Sequence, residues 1–515
     1  KKNILMKKIL VFILALHVSS FLSSQVLKAS SDVILQSFSW NSYTTSNWNA
    51  LKTQFEELSE YFEWLWLPPS GRHGGVKWNE TSMGYLPLYY FDQNSSFGTQ
   101  EELKSLISTL KDKGTKCIAD IVINHRVGET NWIDFPEETY LGKNYAWDLS
   151  TICNNDKETD CNASCITGYI GEPQGADDTG EAYHAGRDID HTNELVRETI
   201  KAYLHFMKNE MGYAAWRYDF VKGYGAEFVK EYNESSNIEF SVGEYYDFNE
   251  SLISTWLSSA DYASMVFDFP LKKRLNMVFN ENKSYKNLGV LSDVHYYPLN
   301  FFEYNQQNYS VSFVDNHDTG RTDGGDGAYP LLKNILPAYA YILTHSAIPC
   351  VWWEHWQNVS YKDAIKAMIN LRKKAGITNS SNVYINEIED TSYVASIIGE
   401  RAKVLLKLGT TSFSPSEDYY LYMKGDLFEI WTSLQDVSLK KKKIEKGIEV
   451  FPNPTRDKLK IQSREKIMKI SLYTIEGKEL LSEEPIALNV DLDLSGLEKA
   501  LYILKIHLAD GAIWT

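Results

Sequence analysis

Apolar and polar positions along the chain follow two rhythms. Between residues 30 and 377, short continuous apolar runs alternate with longer stretches of helical periodicity. The runs are Val33–Ser39, Glu63–Leu67, Cys117–Ile123, Ala214–Tyr218, Glu239–Gly243, Met265–Phe269, Val311–Val314 and Ala347–Trp352. Helical stretches between or after them include Glu101–Lys113, Glu194–Met211 and Tyr361–Ala375. Runs that are apolar on both faces and separated by helices predict parallel strands covered on both sides. Eight such units predict an α/β fold, a (β/α)8 TIM barrel. The third connection, residues 126–187, is too long for a simple crossover and is rich in Gly, Asp and Asn, which predicts an insertion with structure of its own.

The rhythm changes to a period of two from residue 378 to 434. Tyr393–Ile398, Ala402–Leu408, Tyr419–Met423 and Leu427–Thr432 predict a small antiparallel β domain. Residues 435–447, with the lysine run Lys440–Lys443, read as a solvated linker. Residues 448–515 alternate again, over Ile448–Phe451, Lys458–Ile461, Met468–Thr474, Val490–Leu494 and Leu501–His507, which predicts a C-terminal β-sandwich. At the other end, the basic stretch Lys1–Lys8, the apolar run Ile9–Leu16 and the small polar residues to Ser24 read as a signal peptide over residues 1–24. Elsewhere no apolar run is long enough to span a bilayer, so no membrane span is expected.

Composition changes this picture only at the margins. With 52 Lys+Arg against 68 Asp+Glu the net charge is −16, which repels phosphate backbones and excludes nucleic acid as the main partner. The 14 Trp, 33 Tyr and 22 Phe fill cores and can also stack on sugar rings. Cys117 and Cys350 lie in apolar runs and read as core residues. Cys153, Cys161 and Cys165 crowd one polar stretch, where an exported protein is expected to form one disulfide of open pairing. A zinc site there lacks a histidine at ligand spacing.

In a barrel of this kind the reactive groups stand at the C-terminal ends of the strands. The third run continues as Asp120 to Arg126, the fourth ends Trp216-Arg217-Tyr218-Asp219, the fifth ends Val242-Gly243-Glu244, and the seventh runs Val314-Asp315-Asn316-His317-Asp318. Asp219, Glu244 and Asp318 would therefore face one cleft, where mutual repulsion separates their pKa values as acid, base and nucleophile roles require. Arg217, two residues before Asp219, points to the same side of its strand and should hold it ionised. Asp120, in mid-strand, reads as a structural partner of Arg217 or of a neighbour.

These four segments resemble the sequence blocks of the alpha-amylase family, glycoside hydrolase family thirteen, in its plant-type branch. The resemblance spans residues 33–434 and includes Trp66-Leu67-Pro68-Pro69, Asp188-Ile189-Asp190-His191, Phe220-Val221-Lys222-Gly223-Tyr224 and Tyr339-Ala340-Tyr341-Ile342-Leu343-Thr344-His345. It implies a secreted, retaining hydrolase of α-1,4-glucan that acts as a monomer. In it Asp219 is the nucleophile, Glu244 the acid and base, and Asp318 a transition-state stabiliser. Tyr85, His125, Arg217 and His317 would hold sugar, and Lys222 would line a leaving-group subsite. It also implies a structural Ca2+, held by Asn124, Asp178 and Asp188 with backbone carbonyls near Glu181 and Gly223. His295-Tyr296-Tyr297-Pro298 resembles a remote starch-holding aromatic pair, and Trp352 to Trp356 is expected to wall the cleft. Alternatives are a transglycosylase of the same clan and a non-catalytic starch-binding surface protein.

The C-terminal segment resembles the sorting domain of type IX secretion, through Val450-Phe451-Pro452-Asn453-Pro454, Ile470 to Leu480, and Leu501 to Ile506. The implied partner is the type IX secretion machinery, and the implied location is the cell surface or the medium. A carbohydrate-binding β-sandwich is the rival reading, but the strands lack the exposed aromatics it would need.

Overall fold

The computed structural model describes residues 29–73, 82–129, 133–156, 172–183, 186–280, 288–291, 306–434, 448–451, 457–474, 478–497, 502–509 and 513–514. The signal segment 1–24, Cys161 and Cys165, His295–Pro298 and the linker 435–447 lie outside the described residues. The chain forms two compact units, residues 1–434 and 435–515.

In the first unit eight strands close into a parallel barrel: β1 (Ile34–Gln36), β2 (Trp64–Leu67), β3 (Lys116–Ile121), β4 (Ala215–Tyr218), β5 (Ser241–Gly243), β6 (Met265–Phe267), β7 (Ser310–Phe313) and β8 (Ile348–Trp352). Each pairs with its sequence neighbours, and β8 closes on β1. The continuous apolar runs are thus explained, because almost every strand residue is buried from both sides. Helices cover the outside. In Gln100–Asp112, Leu103, Leu106, Ile107 and Leu110 make the buried stripe, and Thr99 with Glu102 forms a reciprocal capping box. The helix expected over 194–211 is α-helical to Phe206, then widens into one π-turn, Met207–Met211, which ends at left-handed Gly212.

The insertion is stitched at both ends. His125–Arg126 pairs antiparallel with Arg187–Asp188, so its first and last residues share one short ladder. Inside it, Glu138–Tyr140 and Lys143–Tyr145 make a hairpin. Arg126 is buried over the rings of Tyr90, Phe135 and Trp147 at 4.8, 5.3 and 4.8 Å and pairs with Glu138 at 2.8 Å.

Five antiparallel strands follow the barrel: β9 (Asn382–Glu389), β10 (Ser392–Ile398), β11 (Lys403–Gly409), β12 (Tyr420–Gly425) and β13 (Phe428–Thr432), in spatial order β9-β10-β11-β13-β12. β9 was not expected, because it is a largely exposed strand whose apolar positions do not alternate. Tyr393, Ile397, Val404 and Leu406 join the core that also contains the barrel helices.

The second unit, residues 435–515, is an antiparallel six-stranded sheet with its own small core of Ile461, Ile467, Ile470, Leu472, Ile506 and Leu508. The two strands expected at 458–461 and 468–474 are one strand, β15 (Lys458–Thr474), which follows β14 (Glu449–Phe451). A register shift between Gln462 and Ile467 absorbs the charged residues between them. β15 pairs with β14, β16 (Glu479–Glu483), β17 (Ala487–Asp493) and β18 (Tyr502–Leu508), and β19 (Ile513–Trp514) pairs with β18.

Candidate active site

Parallel register sets the site. Asp120 of β3 stands opposite Arg217 of β4, and Tyr218 stands opposite Gly243 of β5. The next residues along β4 and β5 are Asp219 and Glu244. The ladder continues through them, with the Asp219 N–H donating to the Ile121 carbonyl at 3.0 Å and the Glu244 N–H to the Tyr218 carbonyl at 2.9 Å. Gly243 is required where it stands, because a Cβ there would lie 2.4 Å from the Trp256 ring of the helix Glu250–Ser259.

Arg217 is the hub. Its Nη1 donates to Asp120 Oδ1 at 2.7 Å and to Asp219 Oδ1 at 2.6 Å. Its Nη2 lies 2.6 Å from Glu244 Oε1, an ion pair outside the angles of a good hydrogen bond. The guanidinium has no solvent exposure. Three acids therefore surround one buried cation, an arrangement only a fixed, multidentate charge can sustain. Asp120 is held further by the Trp66 indole N–H at 3.0 Å and the Tyr85 hydroxyl at 2.9 Å, which leaves it no free oxygen for chemistry. Phe220, just after Asp219, adopts a left-handed backbone at φ 41°. Its N–H donates to Glu244 Oε2 at 3.3 Å, and the next N–H, of Val221, donates to the Glu244 carbonyl at 3.2 Å.

Burial raises Glu244 to about 8, with Asp219 and Asp318 adding to the shift and Arg217 opposing it. Burial raises Asp318 to about 7 against the pull of Arg217. Asp120 is raised to about 6 by burial, again with Arg217 opposing. Glu244 is thus the carboxyl of the group best kept protonated near neutrality.

The aromatic wall is built by residues that the sequence reading both found and missed. Tyr85, His317 and Trp40 form a near-parallel set, with Tyr85 to His317 at 5.1 Å and Trp40 5.8 Å from each. Arg321 covers Trp40 at 4.8 Å. His317 Nε2 lies 3.4 Å from Asp318 Oδ2, and its Nδ1 meets Gln36 Nε2 at 2.8 Å. His125 stacks on Tyr183 at 3.8 Å, and its Nε2 meets the Tyr85 carbonyl at 2.7 Å, so that nitrogen is bound to backbone rather than turned to open space. Burial holds His125 and His317 below the usual imidazole range, so both are neutral. Lys222 pairs with Glu181 at 2.9 Å and Asp247 at 3.3 Å. Trp40, Tyr183 and Gln36 were missed because each is a single residue with no pattern; Gln36 is a polar residue inside the apolar first run.

The stretch Trp352 to Trp356 does not form one wall. Trp356 is buried against Tyr61 and Phe62 at 5.7 and 4.7 Å, facing the outer helices, and Trp353 is buried too. Cys153 is a buried free thiol rather than half of a disulfide.

A second cluster joins the insertion to the barrel. Asn124 Oδ1 and Asp178 Oδ2 are buried without a hydrogen-bond partner. Asn124 Nδ2 donates to Asp188 Oδ1 at 3.1 Å, and burial, reinforced by Asp156 and Asp178, raises Asp188 to about 8. Among the described residues no three His, Cys, Asp or Glu side chains gather at metal range. An amide oxygen and backbone would have to complete any oxygen set here. A Cβ at Gly223 would stand 2.0 Å from Asn124 Oδ1, and one at Gly180 2.3 Å from the Lys222 carbonyl, so the two segments meet backbone to backbone. Gly223→Ala is expected to destabilise the protein by about 1–3 kcal/mol through overpacking. An unchanged melting temperature would show that Asn124 swings aside freely.

Comparison with known proteins agrees with this architecture. The alpha-amylase catalytic domain matches residues 65–352, the alpha-amylase C-terminal beta-sheet domain residues 374–432, and the secretion system C-terminal sorting domain residues 449–514. The last marks the chain for export to the cell surface or medium by the type IX route. No described helix is long and apolar enough to cross a membrane. "Probable alpha-amylase 2" of Arabidopsis thaliana is 31% identical over 431 residues, covering 79% of this chain and 95% of that protein. "Glucan 1,4-alpha-maltotetraohydrolase" of Stutzerimonas stutzeri is 25% identical over 417 residues, covering 75% of this chain and 69% of that protein. The solved structure of CldA, described as a cyclomaltodextrin glucanotransferase with a three-domain ABC distribution, shares the fold at TM-score 0.57 and 17% identity, covering 79% of this chain and 100% of that one. A catalytic-domain match over more than half the chain, with its acids gathered at the strand ends of a closed barrel, makes the chain a glycoside hydrolase and a member of the alpha-amylase family.

Proposed function

We propose that the chain is an exported alpha-amylase that cleaves internal α-1,4-glucosidic bonds of starch or glycogen with retention of configuration. The observation that carries this reading is the single guanidinium of Arg217 holding Asp219 and Glu244, each at 2.6 Å, beside Asp318. Retaining glycosidases keep their two carboxyls about 5–5.5 Å apart, and two acids drawn to one guanidinium are compressed in this way. Glu244, protonated, gives its proton to the glycosidic oxygen as the bond breaks. Asp219, its Oδ1 held by Arg217, attacks the anomeric carbon and forms a covalent glycosyl ester. Glu244, now a base, takes a proton from water, whose oxygen then displaces Asp219. Asp318 and His317 hold sugar hydroxyls as charge develops on the ring. Tyr85 stacks beneath the sugar, and Lys222 flanks the leaving side.

The oxygens of Asn124, Asp178 and Asp188 suit a Ca2+ ion, since two of them are buried and unpartnered and Asp188 stands among other acids. The segments around Glu181 and Gly223 would offer backbone carbonyls. The ion would supply charge neutralisation and a tie between insertion and barrel, with no part in bond cleavage. Saturating calcium, about a thousand times its Kd, is expected to add about 4 kcal/mol of stability. Thermal melts with calcium and with a chelator measure this, and identical melts would remove calcium from the reading.

The protein is read as a monomer, since one chain carries every site residue. Its activity is tested by incubation with soluble starch and anomeric analysis of early products. Internal cleavage giving α-configured reducing ends supports the reading. Inverted products would overturn it, and a dominance of transfer products would replace it with a transglycosylase. Tight starch binding with no cleavage would leave only a binding protein.

A further inference from the structure

Gln36 sits in β1 with no solvent exposure, an amide inside an otherwise apolar run. Its Nε2 meets His317 Nδ1 at 2.8 Å, while its Oε1 is buried without a partner. A buried amide that leaves one end unsatisfied has an energetic cost, so the end that is used must matter.

We infer that Gln36 is a positioning residue that fixes His317 in the tautomer carrying its proton on Nε2, aimed at Asp318 and the sugar beside it. The inference rests on the proposed glucan cleavage only for its catalytic consequence.

Two independent facts select that tautomer. The amide N–H can donate only to a ring nitrogen that bears a lone pair, so Nδ1 is unprotonated. The reversed amide would leave both of its buried N–H donors bare, where the observed one leaves a single N–H and the carbonyl oxygen, and bare N–H groups are the rarer in proteins. At the other side of the ring, Nε2 faces Asp318 Oδ2 at 3.4 Å, where an N–H is attracted to the carboxylate and a lone pair is repelled. The ring cannot escape by gaining a second proton. It is buried against Phe38, Trp66, Tyr85 and Trp40, and the cations Arg217 and Arg321 both disfavour its protonation. The neutral imidazole therefore has a single donor, and Gln36 decides where it points.

Gln36→Met keeps the volume and removes the hydrogen bond. Gln36→Glu keeps the shape and reverses the polarity, placing an acceptor at Nδ1 that draws the proton there. The expected result is a fall in kcat on the order of 10- to 100-fold for Gln36→Met with KM little changed. For Gln36→Glu an added ionisation of the imidazolium is expected in the pH profile of kcat/KM, absent from both wild type and Gln36→Met. Ring 15N chemical shifts of selectively labelled histidine in the full chain read the tautomer without any reaction. They should show Nε2–H for His317 in the wild type and a protonated Nδ1 in Gln36→Glu. Wild-type His317 with its proton on Nδ1 would overturn the assignment, as would a Gln36→Met enzyme with kcat within about twofold of wild type, or coincident pH profiles for the two folded variants. Because the 15N signature is independent of substrate, a failed starch assay tells against the proposed function and leaves the tautomer test standing.

Discussion

Replacing Glu244 with Gln should lower kcat on starch by about 10³–10⁴-fold while leaving fold and starch binding intact. Gln has the same shape and can still accept the Phe220 N–H that reaches Glu244 Oε2 at 3.3 Å, but it has no proton to give. The same group predicts the alkaline limb of the wild-type profile. Glu244 must be protonated to act as acid, and burial raises it to about 8, so kcat/KM should be flat near neutrality and fall as pH rises through that region. Glu244, Asp318 and Asp120 share the field of Arg217, so the observed value belongs to the cluster rather than to one carboxyl. A variant that retains starch cleavage would remove Glu244 from the acid role. A wild-type profile that already falls between pH 5 and 6 would show that the buried carboxyl is not kept protonated.

Arg217→Met is expected to cost more than activity. It would leave Asp120, Asp219 and Glu244, whose side chains are 0, 10 and 8% exposed, without their common cation. Removing one partner of a buried ion pair costs about 3–5 kcal/mol, and here three partners are stranded. The loss should depend on pH in a defined direction. Without Arg217 the folded-state pKa values of Asp120 and Glu244, already raised by burial, rise further above their unfolded values near 4, so the folded variant binds more protons than the unfolded chain over a wider pH window. The deficit relative to wild type is then smallest in acid and grows as pH rises through the wild-type folded values, about 6 for Asp120 and about 8 for Glu244. Denaturant melts of both proteins at pH 5 and pH 8 measure this. A deficit equal at both pH values would mean that the cation contributes packing rather than charge. Arg217→Lys should recover part of the stability and little of the activity, because an ammonium is a point charge and cannot span three carboxylates.

The barrel was legible because its strands are covered on both sides. Physics then demands unbroken apolar runs, and Val33–Ser39 or Cys117–Ile123 can hardly be anything else. The acids were legible because parallel strands end together and a carboxylate just past an apolar run has one place to go. Asp120 was readable as a partner of Arg217, and it lies 2.7 Å away. What sequence did not reveal depends on direction rather than identity. Trp352 to Trp356 is rich in aromatics, yet the short helix Trp353–Gln357 turns Trp356 back toward Tyr61 and Phe62. Gln36 looked like one polar position in a strand, and nothing local states which ring it will meet 281 residues away. β9 and the central part of β15 were hidden because exposed or bulged strands carry weak alternation.

The left-handed turn at Phe220 has a mechanical meaning. A non-glycine residue with φ 41° is held at some cost by what surrounds it, and what it secures is a main-chain clasp between the ends of β4 and β5. Through that clasp the two residues after Asp219 grip Glu244, Phe220 its carboxylate and Val221 its carbonyl, independently of Arg217. The ends of β4 and β5 are thereby coupled, so that a displacement of one is passed to the other. The separation of the Asp219 and Glu244 carboxyls is therefore held by main-chain hydrogen bonds as well as by Arg217.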